Sequence, residues 1–521
     1  MGRPDDGVRI AELVATLSYA ADLGLGQPMD HCLRQTAIAL RLADLVGADQ
    51  PQREATYYLG LMISAYCHAD AAEQASWFGD DIDFKATGFE LLDMDTAQVV
   101  ATVLRHLSSH GTGLERVRRI AALPVTARGQ LGHFLETHAT IGAQMAGRLG
   151  LAPAVQVAIG QAYEQWDGKG FPRGLRGEDI CLATRLVPVA GAVEIFGRRR
   201  GPTGAVEVVR RHRGGQFDPR VVDAFCDHAE TVLDGLDEAA AWDAVLDLEP
   251  WPRRCVDGPE LDAALEAIAD GVDLKSPHLA GHSRGVALLA AEAARVWGLG
   301  EAEVTTVRRA GLVHDLGRLG VSNAVWDKPG PLTEAERERV RLHPHLTNRM
   351  LARVTALAEA RVIASRHHER LDGSGYPQGL TAGSLSPGDR LLAAADSYHA
   401  MTEPRPFRSA CPEDVASRLL LDEVAAGRLD ADAVSAVLRA AGHRAPIHHP
   451  RPAGLTVREV EVLQLIARGH TNKEIARLLH VTPKTASNHV EHIYTKLGVT
   501  SRAAATLCAI QHHLVGSFEP A

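Results

Sequence analysis

The stretch that decides the reading runs from His314-Asp315, through a lone His343, to His367-His368-Glu369-Arg370-Leu371-Asp372-Gly373-Ser374-Gly375-Tyr376-Pro377 and a late Asp396. His282 stands upstream of it. Imidazoles and carboxylates in this number, with no thiolate among them, suit divalent first-row metals. A lone His on a helix is more often packed or solvated than a ligand. The set has weight because its members recur in order through one segment.

Working outward, the same pattern occurs earlier in weakened form. Leu59-Gly60-Leu61-Met62-Ile63-Ser64 resembles Ala310-Gly311-Leu312-Val313-His314-Asp315, and His31 precedes it as His282 precedes the later pair, both 251 residues apart. Further on, His138 matches His343, and Tyr163-Glu164-Gln165-Trp166-Asp167-Gly168-Lys169-Gly170-Phe171-Pro172 matches His368 to Pro377, both at an offset of 205. Gly215-Gln216-Phe217-Asp218 resembles Gly427-Arg428-Leu429-Asp430. Collinear matches at so few offsets mark a tandem duplication whose first copy carries 46 extra residues between about Ala65 and His138. Ile63-Ser64, Ala162-Tyr163 and Gly191 replace most of the later cluster, while His31, His138 and Asp167 remain. The first copy therefore reads as a fold kept for packing, partner contact or ligand sensing, without catalysis.

In the second copy, the segment from Asp273 to Arg408 resembles the HD-GYP phosphodiesterases, metal-dependent hydrolases of cyclic dinucleotides. The resemblance implies an all-α fold with His282, His314, Asp315, His343, His367, His368 and Asp396 as ligands of two divalent ions, iron or manganese, Asp315 bridging them. His278 stands where some members hold a third ion. Asp315 and Arg318 carry the catalytic expectation, and Gly375, Tyr376, Arg405 and Arg408 the substrate contacts. Two metals suit phosphodiester hydrolysis, and the planar fork of Arg suits phosphate oxygens. Two positions depart from the family pattern. Arg318 replaces the usual Lys and cannot usefully donate a proton, and His399 sits where Asp is common. These bear on rate and substrate choice more than on metal binding.

The C-terminal segment has crisp helix signals. Thr456 with Glu459 and Thr471 with Glu474 form capping boxes, and Pro483 opens a third helix that runs to about Leu497 before Gly498. Two helices joined at His480-Val481-Thr482 make a helix-turn-helix. Residues Leu455 to Ile510 resemble the LuxR-type module, with Val490, Ile493, Tyr494 and Leu497 toward the core. Lys484, Thr485, Ser487, Asn488 and Lys496 are left to meet DNA, lysines at phosphates and Asn and Ser at base edges or phosphates. Such modules generally bind as dimers, so a homodimer on promoter DNA is expected.

The 521 residues are 45% hydrophobic and 23% charged, ordinary for a soluble globular chain. Net charge is −10, which argues against nonspecific nucleic-acid binding by the whole molecule; residues 452–521 alone carry seven Lys/Arg against five Asp/Glu. No apolar run approaches the roughly 18 residues of a membrane span, and seven scattered cysteines fit a reducing cytoplasm. The expected order is a degenerate HD-like domain (1–235), a connector (236–259), a metal phosphodiesterase domain (260–443), a Pro-rich linker (444–453) and a helix-turn-helix domain (454–521). The reading is a cytoplasmic phosphodiesterase for a cyclic dinucleotide, coupled to transcription regulation. Its rival is a regulator that binds the nucleotide and turns it over poorly or not at all.

Overall fold

The computed structural model describes residues 7–108, 113–236, 241–443, 455–479 and 481–511. The Pro-rich linker expected at 444–453 and His480 of the expected turn lie outside them. The described residues up to 443 form one compact unit, and those from 455 a second. Both are helical. Among the described residues the one sheet is a two-residue antiparallel pair, Val8–Arg9 with Cys255–Val256. None of their helices is long and apolar enough to cross a membrane.

The duplication is visible helix by helix. His31–Leu45 and Gln50–Met62 correspond to His282–Trp297 and Glu301–Val313 at the offset of 251, and Pro153–Gly160 corresponds to Ala358–Ala364 at 205. Each helix pair crosses at a glycine. A Cβ on Gly60 would lie 2.5 Å from Thr36 Oγ1, and one on Gly311 would lie 2.6 Å from Ala287 Cα. Only a residue without a side chain lets the backbones approach so closely. Two hydrogen-bonded clasps also repeat. Asp22 accepts from Cys32 N (3.1 Å) as Asp273 accepts from Ser283 N (2.9 Å). Buried Glu164 accepts from the backbone of Arg173 and Leu175, and buried Glu369 from that of Gln378 and Leu380, all four bonds 2.7–2.8 Å.

The two copies share one continuous apolar core. Helix Ile10–Gly24 of the first packs on the turn Leu316–Gly320 of the second. The region that holds the extra residues of the first copy is helical, and its helix Asp81–Gly88 places Asp81 in the second copy. Fully buried, Asp81 accepts from Ser322 Oγ (2.7 Å) and Asn323 N (2.8 Å) and stands 3.8 Å from buried Lys275 Nζ. The segment expected as a connector is more than a tether. Its helix Ala241–Asp247 buries Trp242, Val245 and Leu246, and Cys255–Val256 supplies a strand. Its many Asp and Pro residues concealed an apolar face at helical spacing.

The described residues of the second unit form four helices, Val457–Ala467, Asn472–Leu478, Pro483–Leu497 and Arg502–Gln511, the last unanticipated. Both capping boxes form. Leu463, Ile466, Ile475, Val490 and Ile493 make its core, with Tyr494 and Leu497 partly buried against it.

Candidate metal centre

Six of the seven predicted ligands sit at or just beyond helix ends. His282 and His343 are the first residues of helices His282–Trp297 and His343–Leu351. His314 and Asp315 follow helix Glu301–Val313 directly. His367 and His368 lie just beyond helix Ala358–Ala364. Asp396 comes from within helix Pro387–Thr402, which starts at a Ser386–Asp389 capping box. Thr347 pins the loop after Asp315: its hydroxyl donates to His314 O (2.9 Å) and accepts from Gly317 N (2.9 Å).

The imidazoles are oriented by their outer nitrogens. Nδ1 of His314, His343 and His367 each hydrogen-bonds the carbonyl three residues before it, in Gly311 (2.7 Å), Val340 (2.6 Å) and Ala364 (2.7 Å). His282 Nδ1 meets Glu403 Oε2 at 2.8 Å. A carbonyl accepts only from N–H, so the three carbonyl bonds place a proton on Nδ1 and turn Nε2 inward. Burial pushes His343 down to about 3 and His367 to about 4, so both are neutral at pH 7.

Asp315 lies between the imidazoles. Its Oδ2 faces His314 Nε2 (3.3 Å) and His282 Nε2 (3.7 Å), and its Oδ1 faces His343 Nε2 (3.5 Å) and His367 Nε2 (3.8 Å). Asp396 turns Oδ1 toward His282 Nε2 (3.3 Å) and Oδ2 toward His368 Nδ1 (3.9 Å). Despite burial, Arg318 and the imidazoles hold the Asp315 carboxyl well below its usual range, and His282 and His368 do the same for Asp396. His282 Nε2, His314 Nε2 and Asp315 Oδ1 are buried without a hydrogen-bond partner, and Asp315 Oδ2 has the Arg318 guanidinium beside it. Orphaned lone pairs at the convergence of imidazoles and carboxylates are what cations require, and two separate close sets form, His282/His314/Asp315 and His343/His367/His368. The donors present therefore fit a pair of divalent ions.

Sequence reasoning missed Glu403 as a partner in the centre. It lies seven residues past Asp396, and no local spacing announces it. With His282 and His399 it makes a third close set, in which His399 Nδ1 stands 3.3 Å from Glu403 Oε1. His278 belongs to none of the three sets. Its carbonyl accepts from Arg405 (3.2 Å).

Beside the centre opens a cavity of about 180 Å³ lined by His278, Arg318, Trp326, Arg405, Phe407 and Arg408, among others. Arg318 Nε lies 2.6 Å from Asp315 Oδ2, and its guanidinium stacks 4.3 Å over Trp326. Arg405 pairs with Glu403 at 2.8 Å. Arg408 donates to the carbonyls of Met401 (2.9 Å) and Glu403 (3.2 Å), shaping the loop that carries Arg405. The Tyr376 ring lies 4.7 Å from that of His368. Its loop approaches so closely that a Cβ on Gly375 would sit 2.4 Å from Arg370 N.

The first copy gathers no comparable set among its described residues. Buried His31 meets Glu194, His138 meets Asp70, and Asp167 pairs with Lys169. On the third helix of the second unit, Lys484, Thr485 and Asn488 are exposed and Ser487 is half-buried, accepting from Asn472 (3.2 Å). Lys496 reaches back to Glu459 at 2.7 Å.

Residues 124–221 and 266–433 match the family described as HD domain, and residues 453–509 match the luxR family of bacterial regulatory proteins. Over 415 residues, 79% of this chain and 90% of the relative, the sequence is 30% identical to 3'3'-cGAMP-specific phosphodiesterase 3 of Vibrio cholerae serotype O1. Over 145 residues, 27% of this chain and 38% of the relative, it is 37% identical to the cyclic di-GMP phosphodiesterase response regulator RpfG of Xanthomonas campestris pv. campestris. A crystal structure of a cyclic GMP-AMP specific phosphodiesterase of V. cholerae matches with a TM-score of 0.58 at 27% identity, covering 84% of this chain and 99% of that one.

Proposed function

The chain belongs to the HD-domain family of phosphohydrolases, and we propose that it is a cytoplasmic phosphodiesterase of the HD-GYP type that opens a cyclic dinucleotide and couples this to promoter binding by its luxR-family domain. The observation that carries the enzymatic reading is Asp315, whose two oxygens face two different sets of imidazoles. Two divalent ions, iron or manganese, bound there supply Lewis acidity toward phosphoryl oxygens and lower the pKa of water. His282, His314, His343, His367, His368, Asp315 and Asp396 hold them.

The residues around the centre have separate tasks in this reading. Arg318 keeps Asp315 ionised and presents a positive edge to the cavity. Arg405 exchanges its Glu403 partner for a substrate phosphate, and Arg408 holds the loop in place while adding positive charge. Tyr376 stacks beside His368 and covers the centre, and Gly375 allows it to come close. The named relatives act on cyclic GMP-AMP or cyclic di-GMP, which makes a cyclic dinucleotide the substrate class. In the luxR-family domain, Lys484, Thr485, Ser487 and Asn488 contact DNA, with Lys496 sharing its three donors between Glu459 and a phosphate, and two chains bind as a homodimer.

The test is hydrolysis of cyclic GMP-AMP and cyclic di-GMP by the manganese- or iron-loaded full chain, reading linear product by chromatography. Turnover of at least one, abolished in Asp315→Asn, supports the reading. One observation favours a second reading, a sensor without turnover: Arg318 occupies Asp315 with a guanidinium that cannot serve as a proton donor. Tight dinucleotide binding without product in the metal-loaded chain selects that reading.

A further inference from the structure

The first copy keeps a cavity at the positions that correspond to the His and Asp cluster of the second. It measures about 640 Å³, a size suited to a small molecule. At the 251 offset its walls carry Ile63, Ser64 and Cys67 in place of His314, Asp315 and Arg318. At the 205 offset they carry Ala162, Phe171 and Gly191 in place of His367, Tyr376 and Asp396. Each exchange removes an imidazole, a charge or a hydroxyl. The place is retained and its chemistry has turned apolar.

Polar bonds behind the walls hold the cavity open. The short helix Phe89–Asp93 contributes Phe89, Leu91 and Leu92, and it is tied to helix Leu182–Arg211 and the residue after it. Arg199 donates to Glu90 (2.9 Å), Arg211 to Asp93 (3.0 Å) and His212 Nε2 to Leu92 O (2.8 Å). On helix Gly113–Arg148, Gly132 receives the Phe171 ring so closely that a Cβ there would lie 2.6 Å from it. Three residues on, Leu135 lines the cavity. Ile63, Phe89, Leu92, Leu135 and Phe171 stay half-buried, so their apolar surface faces a concavity and not a packed core. Protein interiors close over voids far smaller than this one.

The ionisable side chains on these walls are engaged within the protein. Lys85 Nζ stands 3.3 Å from Asp81 Oδ2, and His138 Nε2 stands 3.1 Å from Asp70 Oδ1. Glu164 accepts from two backbone N–H groups, and His212 is held by Leu92. The Tyr163 hydroxyl stands 3.4 Å from Cys67 Sγ and 3.3 Å from Ile63 O. Three arginines line the cavity of the second copy, and among the described residues none lines this one. A charged molecule entering here would give up its hydration for no counter-charge, which is costly.

We infer that the first copy binds an uncharged, largely apolar small molecule in this cavity. The aliphatic and aromatic walls cover its body, and removal of apolar surface from water drives binding. Binding needs neither metal nor turnover in the second copy.

The test titrates the full chain with N-phenyl-α-naphthylamine, an uncharged dye that fluoresces in apolar surroundings, and with anilinonaphthalenesulfonate, the same ring system bearing a sulfonate. A single saturable site per chain is expected for the uncharged dye. The sulfonate should bind at least about tenfold more weakly, because its charge finds no partner on these walls. Ile63→Trp fills part of the cavity and Leu135→Glu puts a carboxylate in its wall, and each should weaken the uncharged dye by at least about tenfold. Phe407→Ala, at the cavity of the second copy, should leave that binding unchanged. The inference is overturned if the uncharged dye shows no saturable site, if the two dyes bind alike, if Leu135→Glu keeps full affinity, or if Phe407→Ala abolishes binding. Leu135 is half-buried on its helix, so that variant decides even where Ile63→Trp does not fold.

Discussion

Glu403 Oε2 lies 2.8 Å from Nδ1 of His282, on the side of the ring away from Asp315 and Asp396. A carboxylate behind an imidazole fixes its tautomer and raises its basicity as a ligand, and losing such a partner typically costs about 10–100-fold in metal affinity. Glu403→Gln is therefore expected to weaken metal binding by about that factor in a chelator competition. Asp315→Ala should lose most bound metal outright, and His138→Ala should keep it. Unchanged affinity in Glu403→Gln would show that His282 does not depend on its carboxylate.

The glycine pair Gly375 and Gly170 separates stability from activity. A Cβ on Gly375 would lie 2.4 Å from Arg370 N, and one on Gly170 would lie 2.3 Å from Gln165 N. Overpacking of this kind costs about 1–3 kcal/mol. Both Gly→Ala variants should lower the melting temperature by similar amounts, but only Gly375→Ala should impair turnover, since it displaces Tyr376 from His368. Equal loss of turnover in both would contradict an inactive first copy.

Acid stability has an identifiable contributor in Glu194. Despite burial, His31 (2.5 Å), Arg198 (2.9 Å) and Arg34 (3.0 Å) hold its carboxyl down to about 2. A depressed carboxylate stabilises the fold fully above its unfolded value of about 4.5, and that contribution fades as pH falls toward about 2. Breaking such a buried cluster costs about 3–5 kcal/mol. Glu194→Gln should be destabilised at pH 7, with a flatter pH dependence between 4.5 and 2 than the unaltered chain. Parallel melting curves across that window would remove Glu194 from the account.

The luxR-family domain offers a salt test. Lys484→Ala should weaken binding about equally for all DNA sequences and reduce the slope of log affinity against log salt by about 1, as expected for one lost phosphate contact. Asn488→Ala should instead relax discrimination between sites. Linkage adds a reciprocal requirement: saturating operator DNA must change dinucleotide affinity by the factor by which dinucleotide changes DNA affinity, about 1–3 kcal/mol for typical coupling. Identical dinucleotide affinity with and without DNA would leave the two functions merely tethered.

The unit below residue 444 should behave as one body. Burial holds the Lys275 ammonium down to about 8, and Asp81 is its nearest carboxylate. Asp81→Ala strands that charge, at a cost of about 3–5 kcal/mol, and should lower the melting temperature of the entire unit in a single transition. Two separate transitions would mean that the copies fold independently.

The clustering of these His and Asp residues was legible in the sequence because duplication and order reinforced each other: His314-Asp315 could be checked against Ile63-Ser64, and His343 against His138. The helix-turn-helix core was legible for a different reason, since Thr456, Thr471 and Pro483 mark helix starts locally. Glu403 was not legible, because its role depends on where helix Pro387–Thr402 ends in space and not on its neighbours in the chain. Asp81 lay in a segment noticed only as a change of offset, and Trp242 in one whose acidic residues and prolines suggested a tether.

Asp81 also gives the duplication a direction in time. At the outset two equal copies could have been pulled apart, and either could have been lost without harm to the other. Once an inserted segment of one copy supplied the anion for a lysine entombed in the other, separation became costly from both sides. The first copy, with no comparable ligand set among its described residues, then had a structural tenure, free to change its own centre while its removal was blocked. A lineage discarding the first copy should therefore show a compensating change at Lys275, and one that keeps Lys275 should keep the acid that faces it.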